Sequence, residues 1–321
     1  MIAIVGSTAE AAARKQSPCP TRTMSPRSQT VPTPASHSPD QARSATQPSH
    51  DLLSATLVIR GGLEVLTWPS FSELGFEAVV TTRRGGASTP PYDSLNLALH
   101  LGDDPNAVIA NRVRAASTLG DNGESLVFAD QVHGATPAVV GSAQRGRGLR
   151  RLSDAVPQSD SLVTSDPRVI LVVLVADCSP VVLFDPEARV LGCAHSGWRG
   201  ALSGVLEGTV GAMGELGATP GRIVAGIGPT IGSKNYQVGE EVVEAATRKL
   251  GDSVQGLLEP DQAERHLFDL REANRRILVA AGIPSENIHL TPMTTGPGGP
   301  FFSDRAEHPC GRFGLFARIL P

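Results

Sequence analysis

The chain has 321 residues, 40% of them hydrophobic, with 34 glycines and a formal net charge of −4. That length supports one large core or two small ones, and the charge gives no footprint for nucleic acid or for an anionic membrane. The longest apolar run, residues 169–176, is far shorter than the roughly 20 residues a membrane-crossing helix needs. The four cysteines, at 19, 178, 193 and 310, form no C-x-x-C pair. A reducing, cytoplasmic setting follows, and no basic residue precedes the opening Met-Ile-Ala-Ile-Val as a secretory signal would require.

Residues 1–54 are rich in Ser, Thr, Pro, Ala and Gln and poor in large apolar side chains. They predict a disordered low-complexity extension ahead of one catalytic domain, 55–321. Strands are expected at 55–59 and 76–82. Asp104-Pro105 opens a helix that Gly120 closes. Further strands are expected at 125–130, 161–164 and 168–176, the last apolar enough to be buried on both faces. A hairpin around Pro186 joins 181–185 to 190–193. A helix over 200–217 carries Leu202, Leu206, Val210 and Met213 on one stripe. It also groups Gly200, Gly204, Gly208 and Gly211, whose cost in helix propensity calls for a close backbone approach. A strand at 222–227 precedes a helix with Val238, Val242, Ala246 and Leu250 on one face. Asp269 and Glu272 open another helix in capping-box fashion. The last strands fall at 301–303 and 314–319. Hairpins mixed with helices predict an α/β chain of the α+β, mixed-sheet sandwich kind, in a single domain.

Of eight histidines, His37 and His50 lie in the extension. His266, His289 and His308 read as solvated loop residues, and His100 is left open. His133 and His195 follow strand-like runs and lie near glycines, and Cys178 stands at the end of an apolar run. Two imidazoles and a thiolate suit Zn²⁺ with a fourth tetrahedral position free for water or substrate. The competing chemistry is a Cys178 nucleophile activated by a histidine. Asp177, beside the thiol, is a candidate acid/base or an orienting group for a histidine. Cys193 reads as a core residue. Arg83-Arg84-Gly-Gly and the arginines at 305 and 312 are candidate anion donors, whereas the four arginines of 145–151 read as a solvated loop. Walker, zincin, nucleophile-elbow and zinc-deaminase motifs do not occur.

The segments TTRRGGAST, YDSLNLALHLGDDPNAVIANR, QVHG, VADCSPVVLFD, AHSGWRG, GIGPTIGSKNYQVGEEV, FDLREANRRIL and FFSDR run in order over roughly residues 56–320. This series resembles the family variously called laccase-domain proteins, multicopper polyphenol oxidases, peptidoglycan-editing factors or purine nucleoside phosphorylases. The resemblance implies a zinc site of His133, Cys178 and His195. It also implies phosphorolysis of adenosine, inosine, guanosine and methylthioadenosine, together with adenosine deamination. Arg84, Asn96, Arg199 and Arg312 match polar positions near the family's pocket and are the expected substrate contacts. The chain departs from the family at Pro292-Met-Thr-Thr295, at Lys234-Asn235 and at Ser303-Asp304-Arg305.

The expected partners are therefore purine nucleosides and phosphate, with no nucleic acid and no membrane, bound by a monomer or small homo-oligomer. A cell-wall editing role is the alternative that one family name suggests. Copper-dependent phenol oxidation is disfavoured. A multicopper site needs many histidines in H-x-H pairs, and Cys/His ligation suits zinc or Cu(I) better.

Overall fold

The computed structural model describes residues 55–262 and 264–321, so the predicted N-terminal extension lies outside the described residues. In chain order the strands and helices begin with β1 (Thr56–Arg60), β2 (Leu63–Thr67), β3 (Phe76–Thr81), α1 (Pro105–Ser117), β4 (Leu126–Phe128) and β5 (Pro137–Val139). There follow β6 (Ser161–Thr164), β7 (Ile170–Val175), β8 (Ser179–Asp185), β9 (Val190–Ser196), α2 (Trp198–Ser203) and α3 (Val205–Glu215). Next come β10 (Val224–Ile227), β11 (Thr230–Ile231), β12 (Gln237–Val238), α4 (Glu240–Leu250), β13 (Leu258–Pro260) and β14 (His266–Phe268). The chain finishes with α5 (Leu270–Ala280), β15 (Ile288–Leu290), β16 (Thr294–Thr295) and β17 (Phe313–Ile319).

Two six-stranded mixed sheets dominate, ordered β1-β2-β3-β17-β7-β4 and β15-β10-β8-β9-β6-β5. Side-chain alternation explains why their central strands are apolar throughout. Leu171, Val173 and Val175 of β7 join Leu315 of β17, Val182 and Phe184 of β8, and Leu191 and Cys193 of β9 in one core between the sheets. The intervening Ile170, Val172 and Phe316 face outward and pack with Ala115 and Ala116 of α1. On the opposite side, Val181, Leu183, Val190 and Ala194 are covered by side chains of α2 to α5, including Leu206, Val242 and Ile277. The order of layers is helix, sheet, sheet, helices. This is the mixed-sheet sandwich that the sequence predicts.

Several local expectations need correction. The helix expected over 200–217 is two helices, because Gly204 takes a left-handed φ of 99° between them. Of its glycines, Gly200 and Gly208 make the close approach: a Cβ at either would lie 3.1 and 3.0 Å from the carbonyl oxygens of Gly134 and Ala135, respectively. Val238 pairs with His266 in a small three-stranded sheet, so α4 starts two residues later, at Glu240. Residues 301–303 form no strand; Phe301 and Phe302 are buried as irregular chain. β2, which the sequence reading leaves out, bridges β1 and β3. No helix among the described residues is long and apolar enough to cross a membrane.

Candidate metal centre and cavity

Two passages between the sheets build the site. β4 lies in the first sheet and β5 in the second, and the chain joining them carries His133 with φ 59°. β7 and β8 are likewise in different sheets, and residues 176–178 turn between them with Asp177 at φ 82°. Positive φ is costly for residues other than glycine and tends to be kept where geometry serves function. His195, near the end of β9, pairs in register with Pro180 of β8. By alternation it shares a face with Leu191 and Cys193, which directs it toward the seam between the sheets.

Hydrogen bonds hold these pieces in place. The Asp160 carboxylate accepts from the backbone N–H groups of Val132 (3.1 Å), His133 (3.0 Å) and Gly134 (2.6 Å), and lies 2.8 Å from His195 Nδ1. An ionised carboxylate only accepts, so Nδ1 carries the proton and Nε2 is left as a ligand nitrogen. The Gln131 amide clamps both the N–H and the C=O of Leu174, at 2.7 and 2.8 Å, tying the His133 segment to β7. Behind the site, Asn274 of α5 donates to Ser179 Oγ (2.9 Å) and accepts from Ser196 Oγ (2.7 Å), bracing the residues next to Cys178 and His195. At Gly197 a Cβ would sit 2.5 Å from Cys178 Sγ, so the thiol can occupy its place only over a glycine.

The ligand atoms of His133, Cys178 and His195 lie within 4.8 Å of one another, and the two imidazole rings are 4.8 Å apart at 75°. Burial opposes ionisation of Cys178, but the neighbouring His195 charge, then His133, outweighs it and brings the thiol down to about 6. Burial likewise opposes the His195 cation, but the Cys178 thiolate, then Asp160, raises it to about 9. One soft sulfur and two imidazole nitrogens converge, with a carboxylate fixing one ring. That donor set fits Zn²⁺ or Cu(I).

A cavity of about 510 Å³ opens against this triad, a size typical of small-molecule sites. Asp177 and Arg312 line it as well. Asp177 touches no histidine: its carboxylate accepts from Thr295 Oγ1 and from the backbone N–H of Arg305. The orienting role offered for Asp177 therefore belongs to Asp160. Arg312 donates to Asp304 and to the carbonyl of Cys310, each at 2.9 Å. Arg84 and Asn96 are not on the wall. Arg84 is exposed and paired with Glu64, and Asn96 is buried, accepting from the backbone N–H of Arg312. Arg199 borders a neighbouring cleft instead.

The cavity also draws on residues the sequence reading passes over. Tyr236 is on the wall, with the Arg305 guanidinium 5.3 Å from its ring. Arg112 is buried, donates to the carbonyl of Leu97 and lies 4.1 Å from the Phe128 ring. His100 and His308 both reach the rim. Burial, and then Arg312 and Arg112, lower His100 against the opposing pull of Asp130. His308 is exposed and 3.2 Å from Asp304. Two histidines expected in solvated loops are in strands: His266 pairs within β14, and His289 of β15 sets its ring 5.7 Å from Phe71. Cys193 is a core residue, its thiol pushed up by burial.

Fold and site define a class: a layered α/β sandwich with a soft, three-residue candidate metal site at one end. A sequence profile described as "Multi-copper polyphenol oxidoreductase laccase" matches residues 77–319. The purine nucleoside phosphorylase YlmD of Geobacillus stearothermophilus is 37% identical over 239 residues, spanning 73% of this chain and 86% of that protein. The purine nucleoside phosphorylase Cgl2154/cg2365 of Corynebacterium glutamicum is 36% identical over 234 residues, spanning 73% and 90%. The crystal structure of YlmD from Geobacillus stearothermophilus superposes with a TM-score of 0.77 at 34% identity, covering 80% of this chain and 96% of that one. The chain belongs to this laccase-like family, whose similar members carry the name purine nucleoside phosphorylase.

Proposed function

We propose that this protein is a zinc-dependent purine nucleoside phosphorylase that also deaminates adenosine. The observation that carries the reading is the convergence of His133, Cys178 and His195 on the wall of a nucleoside-sized cavity. The names of the similar proteins supply the substrate class. Zinc bound by the three side chains would supply Lewis acidity at that wall.

The chain's own residues do the remaining work. Phe128, Leu174, Ile231 and Tyr236 give the wall an apolar and aromatic surface for a purine, and Asp177, Asp304 and Arg312 supply polar groups for orientation. In phosphorolysis the C1′–N9 bond breaks as a phosphate oxygen bonds to C1′, and the proton lost by phosphate ends on the purine. In deamination water adds at C6 and ammonia leaves. Asp177, a buried carboxylate on the wall, would take the proton from water and return it to the departing amine. Asp160 holds His195 and the His133 segment while this happens, and touches no substrate.

Zinc-loaded protein incubated with adenosine should yield adenine and ribose-1-phosphate only when phosphate is present, and inosine with or without it. Formation of neither product would overturn the reading. Cys178→Ala should remove both bound zinc and turnover, as measured by metal analysis beside the product assay.

The depressed Cys178 thiol beside His195 also favours a second reading, a thiolate nucleophile with an imidazolium partner. Protein that turns over adenosine without zinc, and that is trapped covalently at Cys178, would establish that reading in place of the first.

A further inference from the structure

A second cleft, of about 450 Å³, shares His133 with the larger cavity and is bordered by Trp198, Arg199, Arg248 and Lys249. Arg199 comes from the first turn of α2, and Arg248 and Lys249 from the last turn of α4. Of these three cations Lys249 is paired, its Nζ 2.5 Å from Glu207 of α3. Among the described residues, neither Arg199 nor Arg248 has a carboxylate within ion-pairing distance. The Arg199 guanidinium lies 4.3 Å from the centre of the Trp198 ring, a cation–π contact that uses none of its N–H donors.

Two unneutralised guanidinium groups on a concave wall raise the local concentration of anions, and their forked donors match a phosphate oxygen pair. The larger cavity is less suited to this task. Its Arg312 is engaged by Asp304, its Arg305 donates to the carbonyl of Gln237, and Asp130 and Asp177 also line it.

We propose that the cleft of Arg199, Arg248 and Lys249 is an oxyanion site that takes inorganic phosphate and presents it beside the triad at His133. That the anion is phosphate rests on the phosphorolysis reading above; that the cleft takes an oxyanion rests on its charges and shape.

The test uses the zinc-loaded protein, the single variants Arg199→Gln and Arg248→Gln, their double variant, and Arg248→Lys as the charge-keeping control. Calorimetric titration with inorganic phosphate alone, without nucleoside, reads the cleft directly. Binding should be present in the wild type, lost in the double variant and partly kept in Arg248→Lys. Steady-state assays should show the KM for phosphate rising at least about tenfold in Arg248→Gln while the KM for adenosine stays in place. Equal phosphate binding by wild type and double variant, or none by the wild type, overturns the proposal. Phosphate binding that the double variant abolishes, with no ribose-1-phosphate formed by the wild type, upholds the cleft and removes phosphorolysis. Titration with AMP is the last arm: AMP bound through these arginines where free phosphate is not would assign the cleft to a nucleotide's phosphoryl group and overturn the proposal as stated.

Discussion

Asp160 is the residue on which the site's geometry turns. One carboxylate satisfies three consecutive backbone donors around His133 and fixes the tautomer of His195. Replacing it with Asn keeps the volume but removes the charge and half of the accepting capacity. Asp160→Asn should weaken zinc binding by about 10- to 100-fold, read by competition with a chromophoric chelator; affinity equal to wild type would contradict the assignment. The three candidate ligands were legible in the sequence because each stands at the end of a strand-like run, at a turn. Asp160 was not singled out, although it abuts the strand 161–164 much as Asp177 abuts 170–175. Which of two buried acids faces an imidazole 35 positions away depends on how the sheets stack, and sequence periodicity carries no record of that. For the same reason Arg84 and Asn96 matched family positions yet stand off the cavity wall.

Elements with a strong local signal match expectation closely. Ser161–Thr164 forms as predicted, and within the run expected at 168–176 the strand Ile170–Val175 is buried on both faces between α1 and the second sheet. Asp104 and Asp269 cap α1 and α5, their side chains accepting from Asn106 and Glu272 N–H. Of the strands of two or three residues, β4 falls within the expected 125–130; the others were illegible, because pairing partners, not propensity, hold segments that short. The break between α2 and α3 was hidden for a related reason: the apolar stripe continues across it, and only the backbone at Gly204 departs from helix. An alanine there must adopt φ near 99°, a conformation that costs roughly 1–2 kcal/mol outside glycine. Gly204→Ala should therefore lower the urea midpoint by a matching amount. A stability unchanged from wild type would mean that the two helices fuse at no cost.

At the scale of the whole molecule, the layered core contains buried carboxylates whose ionisation is linked to folding. Burial alone would raise Asp185, but Arg222, with the backbone N–H groups of Thr219, Ala188 and Glu187, holds it below the ordinary carboxylate range. Asp160 is also held low, burial being outweighed by His195 and backbone donors. A depressed folded-state pKa means that the unfolded chain binds more protons as acid is added. The stabilisation is thus complete above the unfolded Asp value of about 3.9 and drains away as pH falls below it. Urea midpoints measured from pH 7 down to 3 should fall along an acid limb that Asp185→Asn makes shallower. A variant with the same acid limb as wild type would remove Asp185 from the account.

The passages 129–136 and 176–178 both leave the first sheet for the second at one rim, and each hands over one ligand while β9 supplies the other. An ion gripped there would work as a hasp across the open edge of the sandwich. Its removal should be legible mechanically as well as chemically: amide exchange should quicken at Val175 and Ala194, next to the hasp, and stay slow at Ile170 and Val190, at the far ends of the same two strands.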